Sequence, residues 1–217
     1  MNGITASCII ADHAVRKNGK LVFEDRHADL PGFLLSVYQH FGLNYPRFFK
    51  MDNLSKLGWL AVEILLKDSF RKADHEAGQV GIVLMNAHSS LDTDLKYFES
   101  AKDIPSPSLF VYTLPNIMIG EICIRHQFKG EGVFFISEEF DAGHFVRYTG
   151  GLLDADVLQV CIGGWVDLLD SEYKAALFLI EKEVLPVEGG QSRPFDVLAK
   201  ENIEKIFRGE KGRTKEE

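Results

Sequence analysis

Residues 129–164, KGEGVFFISEEFDAGHFVRYTGGLLDADVLQVCIGG, decide how the chain folds. Val133 to Ile136 reads as a strand too apolar to have a solvated face, and Asp141 to Leu153 as a helix. Val157 to Ile162 reads as a second apolar strand that ends in Gly163-Gly164. Strands of this kind, alternating with helices, require a sheet covered on both sides.

The pattern extends in both directions. Ile4 to Ala11 is a buried strand, and Asn18-Gly19 turns a hairpin between His13–Arg16 and Lys20–Phe23, because this pair readily takes the positive φ angles of a type I′ turn. Asp29 to His40 is a short helix. Leu54, Leu57, Leu60, Ala61, Ile64 and Leu65 recur at three and four, so 54–70 is an amphipathic helix capped by Asp52 or Asn53. Val80 to Met85 is another buried strand. Pro105 and Pro107 open an irregular link, after which Pro115 to Phe128 is a helix apolar around nearly its whole circumference, ended by Lys129-Gly130. Ala175 to Ile180 fits a strand or one face of a helix and is read as a strand. A helix from Phe195 to Phe207 and a charged, solvated tail from Arg208 close the chain. The expectation is an α/β domain with a mixed, mostly parallel sheet and helices on both faces.

Composition narrows the function classes. The chain has 217 residues, 46% hydrophobic and 26% charged, which fits one globular domain. Its 24 Lys and Arg stand against 32 Asp and Glu, and a net charge of −8 argues against nucleic acid and anionic membrane as partners. Cys8, Cys123 and Cys161 sit in apolar runs and read as reduced, buried thiols. With no secretory signal pattern and no run approaching the roughly 20 apolar residues of a membrane span, the expected location is the cytoplasm.

No phosphate loop, dinucleotide fingerprint, nucleophile elbow or zinc-protease motif occurs, and no cofactor or metal is expected. His88, beside Ser89, Ser90, Asp92 and Asp94, stands at a strand end, where α/β sheets bind ligands; the plainer reading is a polar loop that caps the next helix. Glu138, Glu139, Asp141 and His144 hold paired carboxylates near a histidine, suited to acid–base work or to the acidic first turn of a helix.

Several stretches, in order, resemble the N-terminal half of the β-ketoacyl synthases, condensing enzymes of the thiolase-like fold. They are Met51–Leu57 running into Ala61–Leu65, Val80–Val83 followed by Ser90–Thr93, Ser106–Phe110, Leu114-Pro115-Asn116, Gly120–Ile124, Lys129-Gly130, Gly163-Gly164 and Ala175–Glu181. The resemblance implies a thiolase-like half domain over residues 1–185, with 186–217 as a C-terminal helix and charged tail. It departs where it matters most. The family's nucleophilic Cys belongs to the turn after the Val133–Ile136 strand, at a helix N-terminus that lowers a thiol's pKa. Here that turn is Ser137-Glu138-Glu139-Phe140-Asp141-Ala142, with Glu139 or a neighbour at the nucleophile position and no cysteine. The family's two catalytic histidines belong to a C-terminal half that this sequence does not contain.

A resemblance with these departures implies a catalytically silent, chain-length-factor-type accessory subunit in fatty-acid, aryl-polyene or polyketide-like synthesis. In the resembled fold the strand before the nucleophile pairs with its copy across a dimer axis, so Pro115, Asn116, Ile119, Val133, Phe134, Phe135 and Ile136 are the expected interface of a homodimer, or of a heterodimer with a full-length ketosynthase. An acyl carrier protein is a possible further partner, though two acidic surfaces meet slowly. The rivals are a small acyltransferase or malonyl decarboxylase using Glu139 and His144, a remnant completing a partner's site, and a degenerate relative that binds another ligand.

Overall fold

The first strand, β1 (Gly3–Ala11), turns back at Asp12-His13 into β2 (Ala14–Lys17), which turns again at Asn18-Gly19 into β3 (Lys20–Glu24). All four turn residues have positive φ, between 49° and 75°, so both connections are tight two-residue hairpins. The second was legible in the Asn-Gly pair; the first, built on Asp and His, was not. The computed structural model describes residues 2–182 and 196–209.

α1 (Leu30–His40) and α2 (Asn53–Leu66) start at aspartate caps, Asp29 accepting from the Gly32 amide and Asp52 from the Ser55 amide, both at 2.9 Å. α2 stops at Leu66 instead of running on to Phe70, because Lys67 leaves helical geometry and Asp68 adopts a φ of 60°. β4 (Val80–Asn86) follows as a fully buried strand, then α3 (Leu91–Ser100) and α4 (Pro107–Val111). The link at Pro105 and Pro107 is therefore partly helical, with Ser106 as its cap.

α5 (Ile117–His126) is shorter than 115–128 and buries one face only. Met118, Ile119 and Ile122 pack inward while Ile124 is 55% exposed, and Gln127 ends the helix in the left-handed region before Lys129-Gly130 is reached. β5 (Gly132–Ile136) leads to α6 (Ala142–Asp154), and β6 (Val160–Leu169) with β7 (Glu172–Glu181) forms the longest hairpin. Ala175–Ile180 is thus strand. β6 starts three residues later than 157 and runs straight through Gly163-Gly164 to Leu169. The two glycines do not end the strand. They admit neighbours into its middle: a Cβ on Gly163 would stand 2.8 Å from the Phe145 ring and collide with the Val83 carbonyl.

Asp196–Val197 is a short strand, β8, paired with Gly3 and Ile4 of β1, so the final helix, α7, spans only Lys200–Phe207. Phe195, Gly189–Ser192 and the tail beyond Gly209 lie outside the described residues.

The eight strands form one mixed sheet in the order β3-β2-β1-β7-β6-β4-β5, with β8 beside β1. β1, β4, β5 and β6 run one way and β7 against them; the two parallel pairings both involve β4. α1, α2 and α5 cover one face over a core containing Trp59, Phe33 and Phe48. α6 and α7 cover the other around Phe145, Phe178 and Ile203, which gives the helix, sheet and helix layers expected of strands apolar on both faces.

A charged clasp ties α2 to α5. Glu63 accepts from Arg125 Nε at 3.0 Å and lies 2.9 Å from His126 Nε2. Burial pushes its carboxyl up, but the bonds from His126 and Arg125 outweigh that and hold it below the ordinary carboxylate range. The resulting stability is present above the unfolded value, about 4.3, and is lost as pH falls through the lower folded-state value. Glu63→Gln should flatten this acid limb, read as urea midpoints between about pH 7 and pH 3.

Candidate functional site

β4 lies between β5 and β6. The chain leaves β4 towards β5 on one side and returns through α6 to β6 on the other, so the carboxyl ends of these parallel strands form a topological switch point, the place where α/β sheets bind ligands. Three segments meet there: Asn86–Ser90 after β4, Ser137–Asp141 after β5, and Asp167 near the end of β6. The fully buried Asn86 shapes the first, donating from Nδ2 to the Ser89 carbonyl at 2.8 Å and accepting from the Ser89 amide at 3.0 Å. The Ser137 amide donates to the Asn86 carbonyl at 2.9 Å and ties the first segment to the second.

Asp167 is the residue that the sequence reading missed. Its Oδ1 accepts from the Ala87 and His88 amides, each at 3.1 Å, and its Oδ2 lies 2.8 Å from His88 Nδ1. With Asp167 largely buried and Nδ1 spent on it, the imidazole is held in one orientation; among the described residues no hydrogen bond engages Nε2, and the His88 side chain is 40% exposed. An oriented histidine of this kind can accept or donate a proton. No signal in the sequence links the two, since they are 79 residues apart.

The other residues around His88 do structural work. Ser90 Oγ donates to the Thr113 carbonyl at 2.8 Å, Asp92 pairs with Lys96 at 2.6 Å, and Asp94 accepts from Ser90 Oγ at 3.3 Å. Thr93 Oγ1 donates to Asp52 Oδ2 at 2.6 Å, which locks α3 against the start of α2; burial pushes the Asp52 carboxyl up. The plainer reading holds in part: the loop is polar and structural, but no side chain in it caps α3, because Ser90 at the cap position spends its hydroxyl on Thr113 and Asp94.

The Ser137–Ala142 turn is anchored by Phe140, whose ring packs against Phe207 at 4.7 Å and Phe145 at 5.7 Å between centroids. Glu138 and Glu139 are exposed to solvent, with Ser137 Oγ donating to the Glu139 carbonyl at 2.8 Å. Asp141 caps α6 by accepting from the His144 amide at 2.8 Å, and this bond holds its carboxyl below the usual range. The His144 ring stands edge-on to Phe135, with centroids 4.8 Å apart. Among the described residues no hydrogen bond joins Glu139 to His144, so the structure does not assemble them into an acid–base pair.

The thiols are elsewhere. Cys8 and Cys161 are fully buried, and burial pushes both up to about 12; Cys123, on α5, is half-buried and also raised by burial. An alkylating reagent at neutral pH should leave Cys8 and Cys161 unmodified in the native protein and label all three in urea, read by intact mass. Among the described residues no cluster of His, Cys, Asp and Glu could hold a metal ion, and no helix is long and apolar enough to cross a membrane.

β5 is an edge strand, which corrects the expectation of burial on both faces. Phe134 packs on the first core and Phe135 on the second, both half-buried, while Ile136 is 54% exposed. The Glu131 carbonyl accepts from the Ile82 amide and the Ser137 amide donates to Asn86, so the odd-numbered residues turn their backbone towards β4. By alternation Gly132, Phe134 and Ile136 direct N–H and C=O outward, along an edge that nothing in this chain covers among the described residues. Of the other expected interface residues, Pro115 is half-buried and Asn116 exposed along the same turn, whereas Ile119 is only 7% exposed and is spent within the first core.

No family model and no curated protein matches the chain. Solved structures do. The ishigamide ketosynthase/chain length factor aligns with 88% of this chain and 64% of its own, at 15% identity and a TM-score of 0.59. A type II PKS acyl-carrier protein in complex with its ketosynthase bound to the hexaketide aligns with 87% of this chain and 64% of that one, at 16% identity and a TM-score of 0.60. A ketosynthase in complex with its chain length factor from Xenorhabdus doucetiae aligns with 84% of this chain and 79% of that one, at 14% identity and a TM-score of 0.53. The chain thus has the thiolase-like fold of the ketosynthases, and it spans less than two thirds of the length of the first two.

Proposed function

We propose that this chain is a ketosynthase-like accessory subunit of the chain-length-factor type, catalytically silent by itself. Its partner is a full-length ketosynthase acting in fatty-acid, aryl-polyene or polyketide-like synthesis, and residues 1–185 form the ketosynthase-like unit. The observation that carries the reading is the edge of β5, a short apolar strand with outward backbone donors and acceptors and none of the charges, prolines or bulges that usually protect a sheet edge. In the fold that the chain shares, this is the strand that pairs across the dimer axis. Silence is supported by the turn that follows, which holds exposed carboxylates where the family holds a thiol; a carboxylate there opposes the enolate that condensation must stabilise.

Ile136→Pro tests the reading. It removes an outward N–H at an exposed edge position, where proline is tolerated, and leaves the bonds to β4 in place. By size-exclusion light scattering and pull-down with a tagged ketosynthase, the wild type should elute as a dimer and the variant as a folded monomer of unchanged melting temperature. A wild type that stays monomeric at micromolar concentration and retains no ketosynthase overturns the proposal, and so does a variant that still pairs. Self-pairing in place of the ketosynthase assigns the edge to a homodimer.

The His88–Asp167 pair favours a second reading, in which the chain also lends an oriented proton acceptor to the partner's site. His88→Asn would then lower turnover of the assembled complex without disturbing assembly, whereas unchanged turnover leaves the scaffold role alone.

A further inference from the structure

A broad cleft lies on the sheet face that carries α6 and α7, beyond the end of α7, against the β1–β2 hairpin. It encloses about 640 Å³, within the range of small-molecule sites. Its walls hold Arg16, Arg26, Lys174 and Arg208, with Asp12 as the only carboxylate among the lining residues. In a chain of net charge −8, four cations converging on one concavity are not an average piece of surface.

Three of these cations are available to a ligand. Arg16 is exposed and has no ion pair among the described residues. Arg26 pairs with Glu24 at 3.2 Å across an exposed contact of the kind that contributes little, and Arg208 approaches Glu204 only to 3.9 Å. Lys174 has a different task. Its Nζ donates to the Phe207 carbonyl at 2.9 Å and lies 3.8 Å from the centroid of the Phe207 ring, so it covers the negative end of α7 that would otherwise repel an anion. Ile9, Ala11, Ala14 and Phe207 supply an apolar wall beside the charges.

We infer that this cleft binds a phosphate-bearing small molecule, its phosphate held by Arg16 and Arg208 with Arg26 at the rim, and its apolar part laid against Phe207 and the hairpin. Guanidinium groups suit phosphate because they donate two parallel hydrogen bonds. A concave site with an apolar wall favours a small ligand over an acidic protein surface, whose approach the overall negative charge would slow. The site lies on β1, β2, β7 and α7, away from the β5 edge, so it stands or falls independently of the dimer.

The test is calorimetric titration of the full chain with inorganic pyrophosphate, at low ionic strength and at about 0.15 M salt. Saturable binding at one site is expected, weakened about tenfold or more in Arg16→Gln and again in Arg208→Gln, and unchanged in Lys102→Gln, whose side chain is paired with Glu99 on α3. Absence of saturable binding overturns the inference. Equal weakening by all three variants also overturns it, because that is the mark of diffuse charge. Binding of polyglutamate that depends on Arg16, with none of pyrophosphate, would overturn it as well and reassign the cleft to an acidic protein partner.

Discussion

Gly164→Ala is expected to destabilise the fold by about 4 kcal/mol or more, enough to consume much of the stability of a domain of this size. Gly164 lies at the centre of β6 with a φ of 143°, a conformation that side chains rarely adopt. A Cβ there would be driven into the backbone carbonyl of Ala176 and would stand 3.1 Å from the Phe178 ring. Neither strand can retreat, since Gly164 is in register with Leu84 of β4 on one side and Leu177 of β7 on the other. Urea denaturation measures the loss, or soluble expression vanishes. Gly19→Ala is the comparison: it too has a positive φ, 75°, but nothing lies within 4 Å of its Cβ, so it should cost only about 1 kcal/mol. A Gly164→Ala protein as stable as Gly19→Ala would mean that β6 and β7 do not approach as closely as described.

Trp59→Ala should cost about 3–5 kcal/mol. The indole is fully buried in the first core, nearly parallel to Tyr45 at 5.3 Å and tilted against Phe48 at 5.6 Å, with the Arg125 guanidinium 5.9 Å from its centroid. Truncation removes this burial and leaves a cavity that α2, pinned by the sheet and by α5, cannot close. The segment 45–50, held to the core by these rings, should lose order with it, visible as faster amide exchange there than in β6. Trp59→Phe should cost much less, because it keeps a ring and removes an indole N–H that has no hydrogen-bond partner among the described residues. A Phe variant as unstable as the Ala variant would show that the indole's polar edge, not its packing, holds this region.

Local chemistry was legible wherever neighbours in sequence decide the outcome. The cap at Asp52, the Asn18-Gly19 turn, the amphipathic run of α2 and the apolar runs of β1, β4 and β7 all came from side chains acting within a few residues of themselves, and the structure keeps each of them. So did the alternation of strand and helix that specifies a sheet covered on both faces; the thiolase-like fold was implied by the resemblance of ordered stretches such as Ser106–Phe110 and Leu114-Pro115-Asn116. That the turn after β5 contains no cysteine is likewise a property of the sequence alone.

The tertiary structure decided everything that depends on which segment lies beside which. An apolar strand reads the same whether it is central or at an edge, so β5 was expected to be buried on every side; its place as the last strand is set by pairing, and that exposes Ile136. Gly163-Gly164 resembles a strand terminus until Val83, Phe145 and Ala176 are found pressing on it from three other elements. His88 and Asp167 meet because β4 and β6 are neighbours, and the basic cleft exists because α7 ends against a hairpin from the opposite end of the chain. The physical reason is common to all four: periodicity records whether a side chain leaves water, and only chain packing determines what replaces the water.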